Sequence, residues 1–185
     1  MPGDYDMHIS KTTILATAAA AVTVAASLAV WAQTASFGGD KINFPADYDK
    51  GVLYTTVDRP DNKQYRELYA SAAAVAAAKK GDPLPAGTVI TLVQFKAKLD
   101  DKGEPAKDAN GRFMKGDLIG YAVMEKQKGW GAGIPEEIRN GEWEYRGFKA
   151  DKTVNDKANL KGCFECHKPL DKKDYVFTYD KMAGK

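Results

Sequence analysis

The sequence predicts an α+β fold: mainly an antiparallel β-sheet, with a short alanine-rich helix and a second short helix near the C-terminus. Three observations carry this. Runs rich in β-branched and aromatic residues recur at six places between Val52 and Tyr179, with Gly, Pro, Asn and Asp between them. One stretch, Ala72–Lys80 (AAAVAAAKK), has the highest helix propensity in the chain. Both cysteines and a histidine fall in Cys163-Phe164-Glu165-Cys166-His167, at helical spacing just ahead of Pro169. About six strands against two short helices make a sheet-based domain.

The first 32 residues stand apart. Thr12 to Ala32 runs 21 residues without a charge and ends in Val30-Trp31-Ala32, which offers small residues where a signal peptidase reads. This pattern predicts a signal peptide over 1–32 and a single domain over 33–185. An uncleaved anchor through residues 12–32 is the alternative, because Asp4 and Asp6 outweigh Lys11 ahead of the run and 21 residues suffice to span a bilayer.

Gln33 to Lys41 reads as a linker, and Phe44-Pro45-Ala46-Asp47-Tyr48 as a loop that turns the chain into the domain. Val52–Val57 and Gln64–Ala70 read as two strands joined by a turn at Asp58-Arg59-Pro60-Asp61-Asn62. Ser71 is placed to N-cap the alanine helix, Lys79 and Lys80 suit its negative end and Gly81 stops it. Its alanine face suits close approach to a sheet. Thr88–Ala97 is the most strand-like run and predicts a central strand. After the polar stretch Asp100–Gly111 a partner strand runs from Phe113 through Met124, making a long hairpin. The carboxylates of that tip miss the EF-hand spacing and read as solvated. Lys128–Pro135 is a glycine-rich bend without the Lys-Ser/Thr ending of a phosphate loop. Trp143 and Tyr145 alternate with charged residues up to Phe148, a strand with one face in the core, and Tyr175–Tyr179 reads as a last short strand.

The chemistry lies in Cys163 to His167. A C-x-x-C-H run is a c-type haem attachment site: the two thiols are spaced to form thioethers with the two vinyl groups, and the imidazole of His167 then lies under the iron. A structural zinc site needs four Cys or His ligands, and the chain offers three at most in that region. A thioredoxin-like pair belongs beside a βαβ pattern and does not need the histidine. One covalently attached haem c is therefore expected at Cys163 and Cys166, with His167 as metal ligand, and the helix that carries them becomes a haem-attachment helix. Such attachment takes place outside the cytoplasm, which agrees with the leader and predicts a periplasmic protein, anchored to the inner membrane if the leader stays. With both thiols so used, no disulfide is available. His8 lies in the leader, so the mature chain keeps His167 alone.

The formal charge of +2 becomes +3 once Asp4, Asp6 and Lys11 are removed, too small an excess for a nucleic-acid partner. Trp130, Trp143, Tyr145 and Phe148 form an aromatic group that suits either plain core or the wall of a cofactor pocket. Trp143 is a candidate haem contact.

Gly87-Thr88-Val89, Gly120 to Lys126 ahead of Gly129-Trp130-Gly131, Asn140-Gly141-Glu142-Trp143-Glu144-Tyr145, and Cys163 to His167 followed by Asp174-Tyr175-Val176-Phe177-Thr178 resemble the cytochrome P-460 family, which includes the cytochromes c′-beta. The resemblance covers nearly the whole mature chain. It implies a sheet-rich homodimer, His167 as the one protein axial ligand and an open distal side. Members bind nitric oxide, and the P-460 enzymes oxidise hydroxylamine. Those enzymes carry a lysine joined to the porphyrin, and the matching position here is Leu92; Lys96 is the nearest lysine on the same strand face.

Three functions follow for comparison. In the first, a five-coordinate haem held by His167 binds NO or a similar small ligand beside an apolar wall that includes Leu92. The second is a hydroxylamine- or NO-oxidising enzyme, which needs a proton acceptor near the open site; Glu125 and Glu165 are the candidates, although both read as solvated carboxylates. The third is an electron carrier with Met114, Met124 or Met182 as sixth ligand, of which Met124 reads as core. The redox partner is left open by all three.

Overall fold

The computed structural model describes residues 37–185, so the leader expected over 1–32 and the first four residues of the linker lie outside the described residues. Five strands pair antiparallel in chain order: β1 (Val52–Arg59), β2 (Gln64–Ala70), β3 (Val89–Ala97), β4 (Lys115–Lys126) and β5 (Trp143–Lys149). Helix α1 (Ala72–Lys80) joins β2 to β3, and α2 (Leu160–His167) and α3 (Tyr179–Met182) follow the sheet. The local signals act as anticipated at α1. Ser71 Oγ accepts from Ala74 N at 3.2 Å, and Gly81 ends the helix in the left-handed region at φ 82°.

The carboxylates at the tip of the β3–β4 hairpin have a structural use. Asp100 Oδ1 accepts from the backbone of Lys102 and Glu104, each at 2.9 Å, and Asp108 Oδ1 accepts from Asn110 at 2.8 Å and Arg112 at 3.0 Å. Two successive turns of the same design thus build the tip.

The sixth strand expected over Tyr175–Tyr179 does not form. Asp174 and Tyr175 both take left-handed backbone conformations, at φ 49° and 60°, and this pair turns the chain instead of extending it. The backbone bonds of the segment go to near neighbours, from Tyr175 N to Leu170 O at 2.8 Å and from Val176 N to Lys173 O at 3.0 Å, and α3 begins at Tyr179. The alternation that suggested a strand puts Val176 in the core and leaves Phe177 exposed.

Each face of the sheet has its own cluster. On the outer face Val93, Tyr121, Val123 and Phe148 are covered by Ile42, Phe44 and Tyr48 of the entry segment. Phe44 sets its ring edge-on to Tyr121 at 4.9 Å and to Phe148 at 5.3 Å. On the inner face Ile90, Met124, Trp143 and Tyr145 pack with Phe164, Val176 and Met182. The aromatic group read as one stripe is therefore divided by the sheet: Trp143 and Tyr145 point inward, Phe148 and Trp130 outward. The buried face of α1, Ala74 and Ala78, lies against β1 and α3. Ala78→Leu should therefore overpack the site and cost about 1–3 kcal/mol. A lowered denaturation midpoint at unchanged m would show this, with Ala76→Leu on the exposed side of the helix within about 0.5 kcal/mol of the parent.

Candidate functional site

Helix α2 starts at Asn159, whose side chain accepts from Gly162 N at 2.9 Å. Residues at i, i+3 and i+4 share a helix face, so Cys163, Cys166 and His167 line up on one side. Phe164 points to the other and is fully buried. Its ring meets Tyr145 edge-on at 4.8 Å. The fully buried Asn140 completes the attachment, donating to Tyr145 Oη at 2.8 Å and to the Phe164 carbonyl at 3.1 Å. The cysteine-bearing helix is thereby fastened to β5 by its apolar side.

Between the Cys-His side of α2 and the inner face of the sheet is a cavity of about 820 Å³, which Cys163, Cys166 and His167 all line. Its sheet wall follows from the strand register. Leu68, Leu92, Ala122 and Gly147 are paired in one row across β2 to β5. The adjacent row toward Trp143 is Ala70, Ile90, Met124 and Tyr145, and the adjacent row the other way holds Arg66 and Gln94. The wall is thus apolar beside His167 and polar at its far end, where Arg59 and Arg66 also line the cavity. Arg59 is paired with Asp61, but among the described residues the guanidinium of Arg66 bonds only to Gln64 Oε1, at 2.7 and 3.0 Å. Burial and the neighbouring Arg59 both disfavour the Arg66 charge. An anionic group at that end of the cavity would relieve this.

His167 Nδ1 lies 2.6 Å from the carbonyl oxygen of Tyr175. A carbonyl can only accept, so the proton is on Nδ1 and Nε2 keeps its lone pair. Burial lowers the imidazole's proton affinity, and the Tyr175 carbonyl opposes this in part. The neutral ring is the form that binds a metal. Phe177 stands edge-on to it at 4.9 Å and Tyr145 lies at 5.0 Å. Both cysteines are free thiols, Cys163 half-buried and Cys166 exposed. The Cys163 thiol is held above its usual range by burial and then by Cys166.

Leu92 lines this cavity together with the three motif residues. Trp143 does not. It is fully buried beneath the sheet's inner face, and its indole N–H donates to Asp174 Oδ1 at 3.3 Å; of the four aromatics grouped in the sequence, Tyr145 lines the cavity. Lys96 is exposed and away from the cavity wall. Neither carboxylate considered as a proton acceptor lines it: Glu125 accepts from Gln127 Nε2 at 2.7 Å, and Glu165 turns outward to pair with Lys161. Met124 does line it, whereas Met182 is core and Met114 exposed. Arg66, Ala122 and Gly147 were not singled out in the sequence; only their register with Leu92 and Gln94 reveals them.

No curated protein matches the chain. A family model described as cytochrome P460 matches residues 45–178, from the entry loop through every strand and α2 to Thr178. The chain belongs to the cytochrome P460 family. It is accordingly a haem-binding cytochrome, and the residues fit that group: Cys163 and Cys166 as free thiols, the imidazole of His167 with a free lone pair, an apolar sheet wall and two arginines all line one cavity. In this P460 cytochrome Asn140 carries the attachment of the cysteine-bearing helix. Asn140→Ala removes the donor to Tyr145 Oη and one of the two donors to the buried Phe164 carbonyl, which keeps the Lys168 N–H, and the two lost bonds should together cost about 1–3 kcal/mol. Limited proteolysis should then cut between Leu160 and His167 faster than in the parent.

Proposed function

We propose that this chain is an exported, periplasmic c-type cytochrome with one haem attached through Cys163 and Cys166, ligated by His167, and able to bind NO or a similar small ligand at an open sixth position. The observation that carries the proposal is the single cavity in which both thiols and the free Nε2 of His167 face a wall of Leu68, Leu92, Ala122 and Gly147. His167, with Nδ1 engaged, presents Nε2 as a fixed donor. Cys163 and Cys166 supply the two thioether sulfurs. Arg66, which has no carboxylate partner among the described residues, would offset part of the charge of the propionates. The bound group supplies an iron with a vacant position, and the apolarity of the surroundings sets which ligand enters. Leu92 and its neighbours in the row offer no ligand atom and no charge, which favours a neutral diatomic over water or an anion.

An oxidative enzyme of the same family needs a group to take the proton. Among the described residues that line the cavity there is no Asp, Glu or Lys, and burial pushes the Tyr145 hydroxyl far up, so it stays protonated. Leu92 also stands where the family's crosslinking lysine belongs. These points support ligand binding over hydroxylamine turnover. A second reading, electron transfer with Met124 as sixth ligand, is favoured by that residue's place on the cavity wall. Assembly as a homodimer is part of the proposal through the family resemblance.

Absorption spectra of the purified protein, oxidised and reduced, with and without NO, test this. A five-coordinate ferrous spectrum that changes on NO addition is expected, with a mass one haem above the polypeptide and haem that acidified solvent does not extract. A low-spin ferrous spectrum indifferent to NO would support Met124 ligation. Leu92→Lys should perturb the Soret band, because it brings an amine to the cavity wall, while His167→Ala should change the ferric spectrum and weaken the haem site.

A further inference from the structure

The bond from His167 Nδ1 to the Tyr175 carbonyl depends on a turn that ordinary residues disfavour. Asp174, at φ 49° and ψ 38°, and Tyr175, at φ 60°, are consecutive left-handed residues, and neither is glycine. Something has to hold them there. The Asp174 side chain gathers donors from three separate parts of the chain. Its Oδ2 accepts from Leu84 N at 2.8 Å and from Lys126 Nζ at 2.9 Å; its Oδ1 accepts from Lys126 Nζ at 3.0 Å and from Trp143 Nε1 at 3.3 Å. The Lys126–Asp174 pair is largely removed from water, with side-chain exposures of 13% and 12%. Leu84 lies in the loop after α1, Lys126 ends β4 and Trp143 opens β5. The carboxylate is therefore tied to the sheet and to the loop after α1.

We propose that Asp174 is a positioning residue for the haem ligand: clamped by Lys126, Trp143 and Leu84, it fixes the left-handed turn whose carbonyl accepts the His167 Nδ1 proton, and so sets how strongly His167 binds iron. The inference rests on the reading of His167 as axial ligand. A short bond to Nδ1 pushes electron density toward Nε2, strengthens the ligand and favours the ferric state. The same clamp explains why Trp143 is buried without touching the cavity. Its indole N–H is spent on Asp174.

The iron–histidine stretching band of the ferrous protein, read by resonance Raman, and the midpoint potential together test the clamp. Asp174→Ala should lower the stretching frequency and raise the midpoint, by an amount near tenfold in the one-electron equilibrium, about 59 mV. Lys126→Met, which leaves the turn's own sequence intact, should move both in the same direction by less. Asp174→Asn tolerates the left-handed backbone and still accepts from Leu84, so it should return most of the shift. An unmoved band and potential in both Asp174→Ala and Lys126→Met, whatever their melting temperatures, would overturn the proposal and leave the network a structural one. Should Asp174→Ala fail to fold, Lys126→Met decides alone, a shift supporting the clamp and no shift overturning it. A five-coordinate ferrous parent without an iron–histidine band would instead remove His167 from the iron, and both readings would fall together; in a six-coordinate low-spin parent the midpoint potentials of the same variants decide the clamp.

Discussion

A sheet that is to hold a flat cofactor must cover one face completely and keep part of the other free of side-chain bulk, and most of this chain is arranged around that constraint. The outer face is closed by Ile42, Phe44 and Tyr48 before the first strand begins. The inner face is closed only in part, by α1, α3 and the apolar side of α2. What stays open is the row where Leu68 and Leu92 are followed by Ala122 and Gly147. The decrease in side-chain size along that row makes the space. A larger residue at Gly147 would meet Ala158, since an added Cβ would stand 2.7 Å from that residue's own.

The polar groups on the two sides of β5 are fastened with equal economy. Asn140 serves a strand side chain and a helix carbonyl with one amide, although its own Oδ1 has no partner. Glu144, nearly fully buried on β5, accepts from Gly39 N and Lys41 Nζ, each at 3.2 Å, and so ties the entry segment to the sheet. Neighbouring residues of one strand therefore anchor the cover of the outer face and the helix of the inner one. Pairing β5 with β4 positions both.

What the sequence reveals and what it hides divide along the range of the interactions. Ser71, Gly81 and the C-x-x-C-H run act within a few residues of themselves, and their roles are legible by eye. Leu92 is legible through family resemblance, and it lines the cavity in register with Leu68. Trp143 and Tyr145 cannot be told apart from their pattern, because both face inward; the position of α2 over the far end of β5 decides which one reaches the cavity. The failed strand at Tyr175–Tyr179 has the same origin. Its alternation is real, but Asp174 and Tyr175 are held left-handed by contacts with Leu84, Lys126 and Trp143 besides the nearby Leu170 carbonyl, and no local signal announces three long-range partners.

The burial of Phe164 bears on the order of events when the protein matures. The phenyl ring enters the core from the same helix that carries the two thiols, and it does so through contacts with Tyr145 and Asn140 that need no cofactor. Once that ring is seated, Cys163 is half-buried and its thiol is less readily ionised, which makes it a poorer nucleophile. Under the proposed covalent attachment of haem, docking of α2 and thioether formation therefore compete in time. The attachment machinery is best served by a chain whose last thirty or so residues are the slowest to settle, and the contacts that make the finished protein firm are the ones that would close this interval early.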